Sequence, residues 1–148
     1  MGYPKIGLAL GGGGVRGFAH IGVMKVFEHE GIPIACISGT SMGGIIAAAY
    51  ASGTSLAELE ERANNFSNIR ELMKLVDLTP ARRGLLDGGH VRAYLDDMFP
   101  ESLTFEGTKI PLSLNAVDLI KGREVTLCSG PLFPAVQATC AVPGIFPP

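Results

Sequence analysis

The segment Gly39-Thr40-Ser41-Met42-Gly43 sets a serine between two glycines at the Gly-x-Ser-x-Gly spacing. A serine on a sharp strand-to-helix turn presents its hydroxyl at the tip, where it can attack an acyl carbon. The turn is tight, so the residues two positions away must lack side chains that would clash. Gly39 and Gly43 meet that need. Ile34 to Ser38 reads as a short apolar strand ahead of the turn, and the small residues after it read as a helix. That helix would aim unpaired amides and partial positive charge at whatever Ser41 attacks.

A second glycine cluster, Gly12-Gly13-Gly14-Val15-Arg16-Gly17, follows the apolar run Ile6 to Leu10 and fits Gly-x-Gly-x-x-Gly through Gly12, Gly14 and Gly17. Two chemistries use such a loop. A Rossmann-type dinucleotide-binding protein would need an acidic residue roughly 20 residues on, at the end of the second strand. Here that strand ends in Ser38-Gly39-Thr40-Ser41, with no carboxylate. A phosphate loop of the Walker spelling fails because Phe18 follows Gly17. The other use is an oxyanion hole, where each fixed backbone amide aimed at the developing charge is worth about 3–4 kcal/mol. In a parallel sheet the loops after the first two strands leave the same edge, so Gly12, Gly13 and Gly14 can converge on Ser41. The oxyanion reading is the better supported, and dinucleotide binding stands as its alternative.

Other reactive side chains fit less well. A histidine base in a hydrolase of this motif order comes late in the chain. His29 near a helix end and His90 at a helix start are ordinary surface positions, and His20 packs or hydrogen-bonds beside the glycine loop. Cys36, Cys128 and Cys140 are odd in number, widely spaced and set among apolar residues. They read as reduced, buried thiols of a cytosolic protein, not as a disulfide framework or a zinc site. Arg16 either anchors its loop by a salt bridge, the favoured role, or holds a phosphate head group.

The elements that must position these groups follow in order. The strand Ile6 to Leu10 carries nothing polar and is expected to be buried on both faces. A helix runs from about Phe18 to Glu30 and stops at Gly31, with Pro33 beyond. On the helix after the elbow, Gly43, Ala47 and Ala51 share one face and Gly44, Ala48 and Ser52 a neighbouring one, so it can lie close to the sheet. Ser55-Leu56-Ala57-Glu58 is a capping box opening a charged helix to about Asn64. Short helices are expected over 68–76 and 90–98. Pro111 to Asp118 and Glu124 to Cys128 read as strands about a Lys121-Gly122 turn, and Pro134 to Cys140 as a short helix. Strands alternating with helices through short links imply a parallel sheet with right-handed crossovers.

Composition agrees with one α/β domain. Of 148 residues, 47% are hydrophobic and 18% charged, which excludes a disordered chain. A net charge of −2 leaves no electrostatic footprint for nucleic acid. The most apolar helix, from about Ile45 to Ser52, is far below the ~20 residues of a membrane span, so any membrane contact would be peripheral.

Taken together, Gly12 to Gly17, Gly39 to Gly44 and Ala141-Val142-Pro143-Gly144-Ile145-Phe146-Pro147-Pro148 resemble three successive blocks of the patatin-like phospholipases, especially the small bacterial members. The resemblance implies a three-layer α/β/α sandwich with a mostly parallel sheet, lipid acyl hydrolysis by a Ser-Asp dyad without a histidine base, and no metal or organic cofactor. By position Ser41 is the nucleophile and the amides of Gly12, Gly13 and Gly14 form the oxyanion hole. The substrate class is a lipid or acyl ester, met in the cytoplasm or at a membrane surface. In this family an Asp-Gly-Gly or Asp-Gly-Ala turn after the Pro-Gly-x-Phe-Pro-Pro block supplies the base. The dyad Asp is therefore expected beyond Pro148, and residues 1–148 are expected to form the N-terminal part of a patatin-like phospholipase domain. Asp87-Gly88-Gly89 has the same letters but precedes the third block and reads as a turn or helix cap. Asp118, at the carboxyl edge of its strand, is the better placed substitute, against a turn role before Lys121-Gly122. A chain without the base would be a catalytically silent fragment.

Overall fold

The computed structural model describes residues 4–65 and 95–141. Four strands form one mixed sheet in the order β1 (Ile6–Leu10), β2 (Ile34–Gly39), β3 (Leu112–Asp118), β4 (Arg123–Leu127). The first three run parallel, and β4 returns antiparallel to β3 through the Lys121-Gly122 turn. A short 3-10 turn over Gly14–Phe18 leads into α1 (Ala19–His29). The elbow opens α2 (Met42–Ser52), and α3 (Leu56–Asn65) follows. Residues 95–98 are helical, and α4 (Leu132–Cys140) ends the described chain. The helix expected over 68–76, the turn Asp87-Gly88-Gly89, His90 and the block from Val142 to Pro148 lie outside the described residues.

Both parallel crossovers advance in the same direction across the sheet, so right-handed connections put their helices on one face. Ile21 and Met24 of α1 and Ile46, Ala47, Ala48 and Ala51 of α2 share a single core with Leu10, Ile37, Leu112 and Leu114. Leu132 and Val136 of α4 join the same core. Fully burying a side chain such as Leu114 or Leu132 is worth about 1.5–3 kcal/mol. The small residues of α2 are buried as the sequence suggests, and they bring its axis close to β2. The capping box is half formed: Ser55 Oγ accepts the Glu58 amide, while the Glu58 carboxylate takes Arg62 instead of reaching back. Arg62 also binds Asp97 at 2.7 Å, tying α3 to the 95–98 helix.

The described residues form two of the layers expected for the sandwich, and they leave the second face of the sheet open. There β1 departs from expectation, because Leu8 and Leu10 turn to the core while Gly7 and Ala9 are exposed. A shallow groove of about 350 Å³ runs across that face past Gly7, Ala9, Cys36, Ser38 and Ser113. The cysteines also depart from it. Cys36 alternates onto this open face and is exposed, Cys128 is exposed just past β4, and Cys140 is partly covered in α4. An apolar neighbourhood in sequence does not decide which face of a strand finds a partner.

Candidate active site

The elbow is built by contact between backbones. A side chain at position 39 would strike the Gly43 carbonyl and the Gly44 Cα, and one at position 43 would strike the carbonyl oxygens of Leu10 and Gly11. Only glycine at both positions lets α2 begin directly over the ends of β1 and β2. The Thr40 amide donates to the Leu10 carbonyl at 3.1 Å, which clamps the turn to β1. Between the two glycines Ser41 adopts φ 53°, ψ −126°, the one positive-φ residue other than glycine among those described. A side chain held in so sparsely populated a region persists only where its surroundings over-determine it.

Ser41 occupies the N-cap of α2, yet its hydroxyl caps no amide of the helix. A serine in that position ordinarily bonds the second or third amide of the helix. Here the hydroxyl is bonded to none of the described residues. The Ser41 amide is held instead, donating to Thr139 Oγ1 at 3.0 Å.

The glycine loop reaches the same point. A Cβ placed on Gly12 would stand 3.4 Å from Ser41 Cβ, so the loop backbone lies against the serine. Gly13 (φ 139°) and Gly14 (φ 54°) take conformations that side chains disfavour. The amides of Gly12, Gly13 and Gly14 bond to no described carbonyl. Gly17 is buried where a Cβ would meet Met42 Cγ at 2.6 Å, so within the Gly-x-Gly-x-x-Gly pattern Gly14 is favoured by its dihedral and Gly17 by its packing. His20 Nε2–H donates to the Gly11 carbonyl at 2.9 Å and braces the start of the loop. The Arg16 side chain is exposed and makes no ion pair among the described residues.

A cleft of about 680 Å³ opens beside Ser41, lined by Thr40, Ser41, Asn115 to Val117, Leu119, Glu124, Ala138, Thr139 and Ala141. Its wall is mostly apolar, and among the described residues Glu124 is its one ionisable lining residue, bound through its carboxylate to the Asn115 side-chain amide. Asp118 does not line it. The Asp118 Oδ1 accepts the amides of Ile120 and Lys121, both at 3.0 Å, so the carboxylate is the turn residue of the β3–β4 hairpin. His29 sits at the surface beside Glu30. Burial pushes the Cys140 thiol up to about 12, leaving it a protonated, poor nucleophile. Among the described residues no group of three or more His, Cys, Asp or Glu could hold a metal ion. Thr139 and Asn115 were not singled out by sequence reasoning. A hydroxyl inside an apolar helix was the only local signal.

Comparison with known proteins adds the family. The sequence pattern of the patatin-like phospholipases matches residues 8–148. The chain belongs to the patatin-like phospholipase family. It is 34% identical over 145 residues to an uncharacterised NTE family protein of Mycobacterium tuberculosis, covering 98% of this chain and 39% of that protein. A patatin-like phospholipase domain-containing protein of Caenorhabditis elegans is 35% identical over 97% of this chain and 11% of its own length. The neuropathy target esterase of Drosophila grimshawi is 30% identical over 97% of this chain and 10% of its own. The chain thus spans about two fifths of the length of its mycobacterial relative and far less of the animal ones. Among solved structures, ExoU in its heterodimeric complex with SpcU, from the Pseudomonas aeruginosa type III secretion system, superimposes with a TM-score of 0.63 at 22% identity. That match covers 98% of this chain and 38% of ExoU, and it establishes the α/β fold. The dinucleotide alternative loses its support with the sheet order. In a Rossmann sheet the fourth strand crosses back to lie parallel beside the first, whereas here β4 lies antiparallel beside β3.

Proposed function

We propose that this chain carries the nucleophile and the oxyanion-binding loop of a serine hydrolase acting on lipid esters. The observation that carries the reading is Ser41 itself: a strained, uncapped serine whose hydroxyl bonds to none of the described residues and whose Cβ lies beside Gly12 of a loop whose amides bond to no described carbonyl. In this reading Ser41 Oγ attacks the acyl carbonyl carbon while a carboxylate base takes its proton. The amides of Gly12, Gly13 and Gly14 hold the oxyanion. Collapse of the tetrahedral intermediate expels the alcohol, which receives that proton, and leaves an acyl ester on Ser41. Water, deprotonated by the same base, then releases the fatty acid and restores the serine. The base, in the Ser-Asp dyad of this reading, is an aspartate outside the described residues, because Asp118 is committed to its turn.

The apolar cleft suits an acyl chain. Its rim continues into a hairpin whose Val117, Leu119 and Ile120 are 62%, 63% and 97% exposed, a surface suited to peripheral contact with lipid. No helix among the described residues is long and apolar enough to cross a membrane.

A fluorophosphonate probe tests the assignment on the 148-residue chain and on the full gene product. Labelling of the full product should vanish with Ser41→Ala; labelling that survives the substitution refutes the nucleophile. If only the longer chain is labelled, the base lies past Pro148. Equal labelling of both places it within these residues.

A further inference from the structure

We infer that Thr139 is a positioning residue for the nucleophile, one whose single hydroxyl fixes the peptide plane from which Ser41 projects. The inference rests on the serine-hydrolase reading above. Thr139 is 7% exposed and lies on α4, 98 residues from the serine it holds. Its Oγ1 accepts the Ser41 amide at 3.0 Å and donates to the Asn115 carbonyl at 2.6 Å. The direction of this relay is forced. The Ser41 N–H can only donate and the Asn115 C=O can only accept, so the hydroxyl proton must point at β3.

Three elements therefore meet at one oxygen: the elbow, the middle of β3 and the last turn of α4. The Ser41 amide lies in the Thr40–Ser41 peptide plane, so anchoring it fixes the rotation of that plane. The direction in which Cα carries the side chain follows from that rotation. While bound to Thr139 the amide is also unavailable to a substrate oxygen, which leaves the oxyanion to the glycine loop. The glycines at 39 and 43 permit the positive φ of Ser41, but removing steric barriers does not select one geometry. The Thr139 hydroxyl supplies a directional bond that does.

Its methyl group has a separate task. Thr139 Cγ2 packs on α2 where a Cβ at Gly44 would stand 2.8 Å away. Two substitutions separate the roles, because Thr139→Val keeps the methyl and loses the hydroxyl, and Thr139→Ser does the reverse.

The test is steady-state hydrolysis of p-nitrophenyl butyrate by the full gene product, with kcat expressed per serine titrated by a fluorophosphonate. That normalisation removes any loss of folded protein. A displacement of about 1 Å in the reacting geometry costs up to about a hundredfold. Thr139→Val should accordingly lower kcat per titrated serine by about tenfold or more, with KM little changed, and Thr139→Ser should recover most of the rate. Should the valine variant not fold, Thr139→Ala against Thr139→Ser isolates the hydroxyl in the same way. Unchanged kcat in the valine variant overturns the inference, as does an equal loss in the serine variant, which would assign the effect to packing. A wild-type protein no more active than its Ser41→Ala variant overturns the hydrolase reading, and the positioning role with it.

Discussion

Replacing Ser41 by glycine should stabilise the fold while abolishing reaction at this position, and replacing it by alanine should only do the latter. At φ 53°, ψ −126° the serine Cβ is held in a region that costs of order 1–3 kcal/mol for a residue with a side chain. Glycine escapes that cost but gains freedom in the unfolded chain, which offsets about 0.4–1 kcal/mol. No hydrogen bond from the hydroxyl is lost, because among the described residues it makes none. The Thr139 bond is to the backbone amide and survives the change. The net expectation for Ser41→Gly is a gain of about 1 kcal/mol, or about 2–4 °C in Tm for a domain of this size. Ser41→Ala keeps the Cβ and with it the strain, so its Tm should stay near that of the native chain. Thermal unfolding of the three proteins side by side, followed by circular dichroism, is the assay. A glycine variant no more stable than the alanine variant refutes the claim that strain is stored at the elbow.

Other expectations follow from the same geometry. Gly43→Ala must part α2 from the carbonyls of Leu10 and Gly11 and should cost about 3 kcal/mol or more in urea unfolding, whereas Gly22→Ala, on the exposed side of α1 with open space around it, should gain up to about 1 kcal/mol. In native protein at pH 8 a disulfide reagent should modify Cys36 and Cys128 quickly and Cys140 slowly; fast reaction at all three would contradict the burial of the α4 thiol. Because the folded-state pKa of Cys140 is raised from 9.0 to about 12, its contribution to stability is complete below pH 9 and declines as pH climbs above that value. Cys140→Ala should flatten this alkaline limb of a stability–pH profile. Ile120→Ser at the hairpin tip, outside the cleft lining, should reduce sedimentation with phosphatidylcholine vesicles several-fold while leaving fluorophosphonate labelling of Ser41 unchanged; unaltered sedimentation would exclude the hairpin tip as the lipid contact.

Much of this molecule is written in short stretches. Ile6 to Leu10, Ile34 to Gly39 and the small-residue run of α2 fold where their apolar periodicity places them. The pairs Gly39–Gly43 and Gly13–Gly14 announce bends that other residues would obstruct. These features depend on φ, ψ and neighbours within a few positions, so local sequence carries them. It also carries the proximity of glycine loop and serine, because two parallel strands must release their following loops at one edge.

What local sequence does not carry is the identity of distant partners. The Ser41 amide could have been satisfied by its own hydroxyl, by water or by any nearby oxygen; only the packing of α4 on α2 and β3 delivers Thr139 to it across 98 residues. In the same way the sequence favours a turn role for Asp118 over that of a base, but only the amides of Ile120 and Lys121 on its carboxylate decide it. The apolar spelling of β1 likewise does not reveal that Gly7 and Ala9 stand uncovered. Periodicity fixes that successive side chains alternate across a strand, but which face is covered is decided by where the crossovers carry the helices.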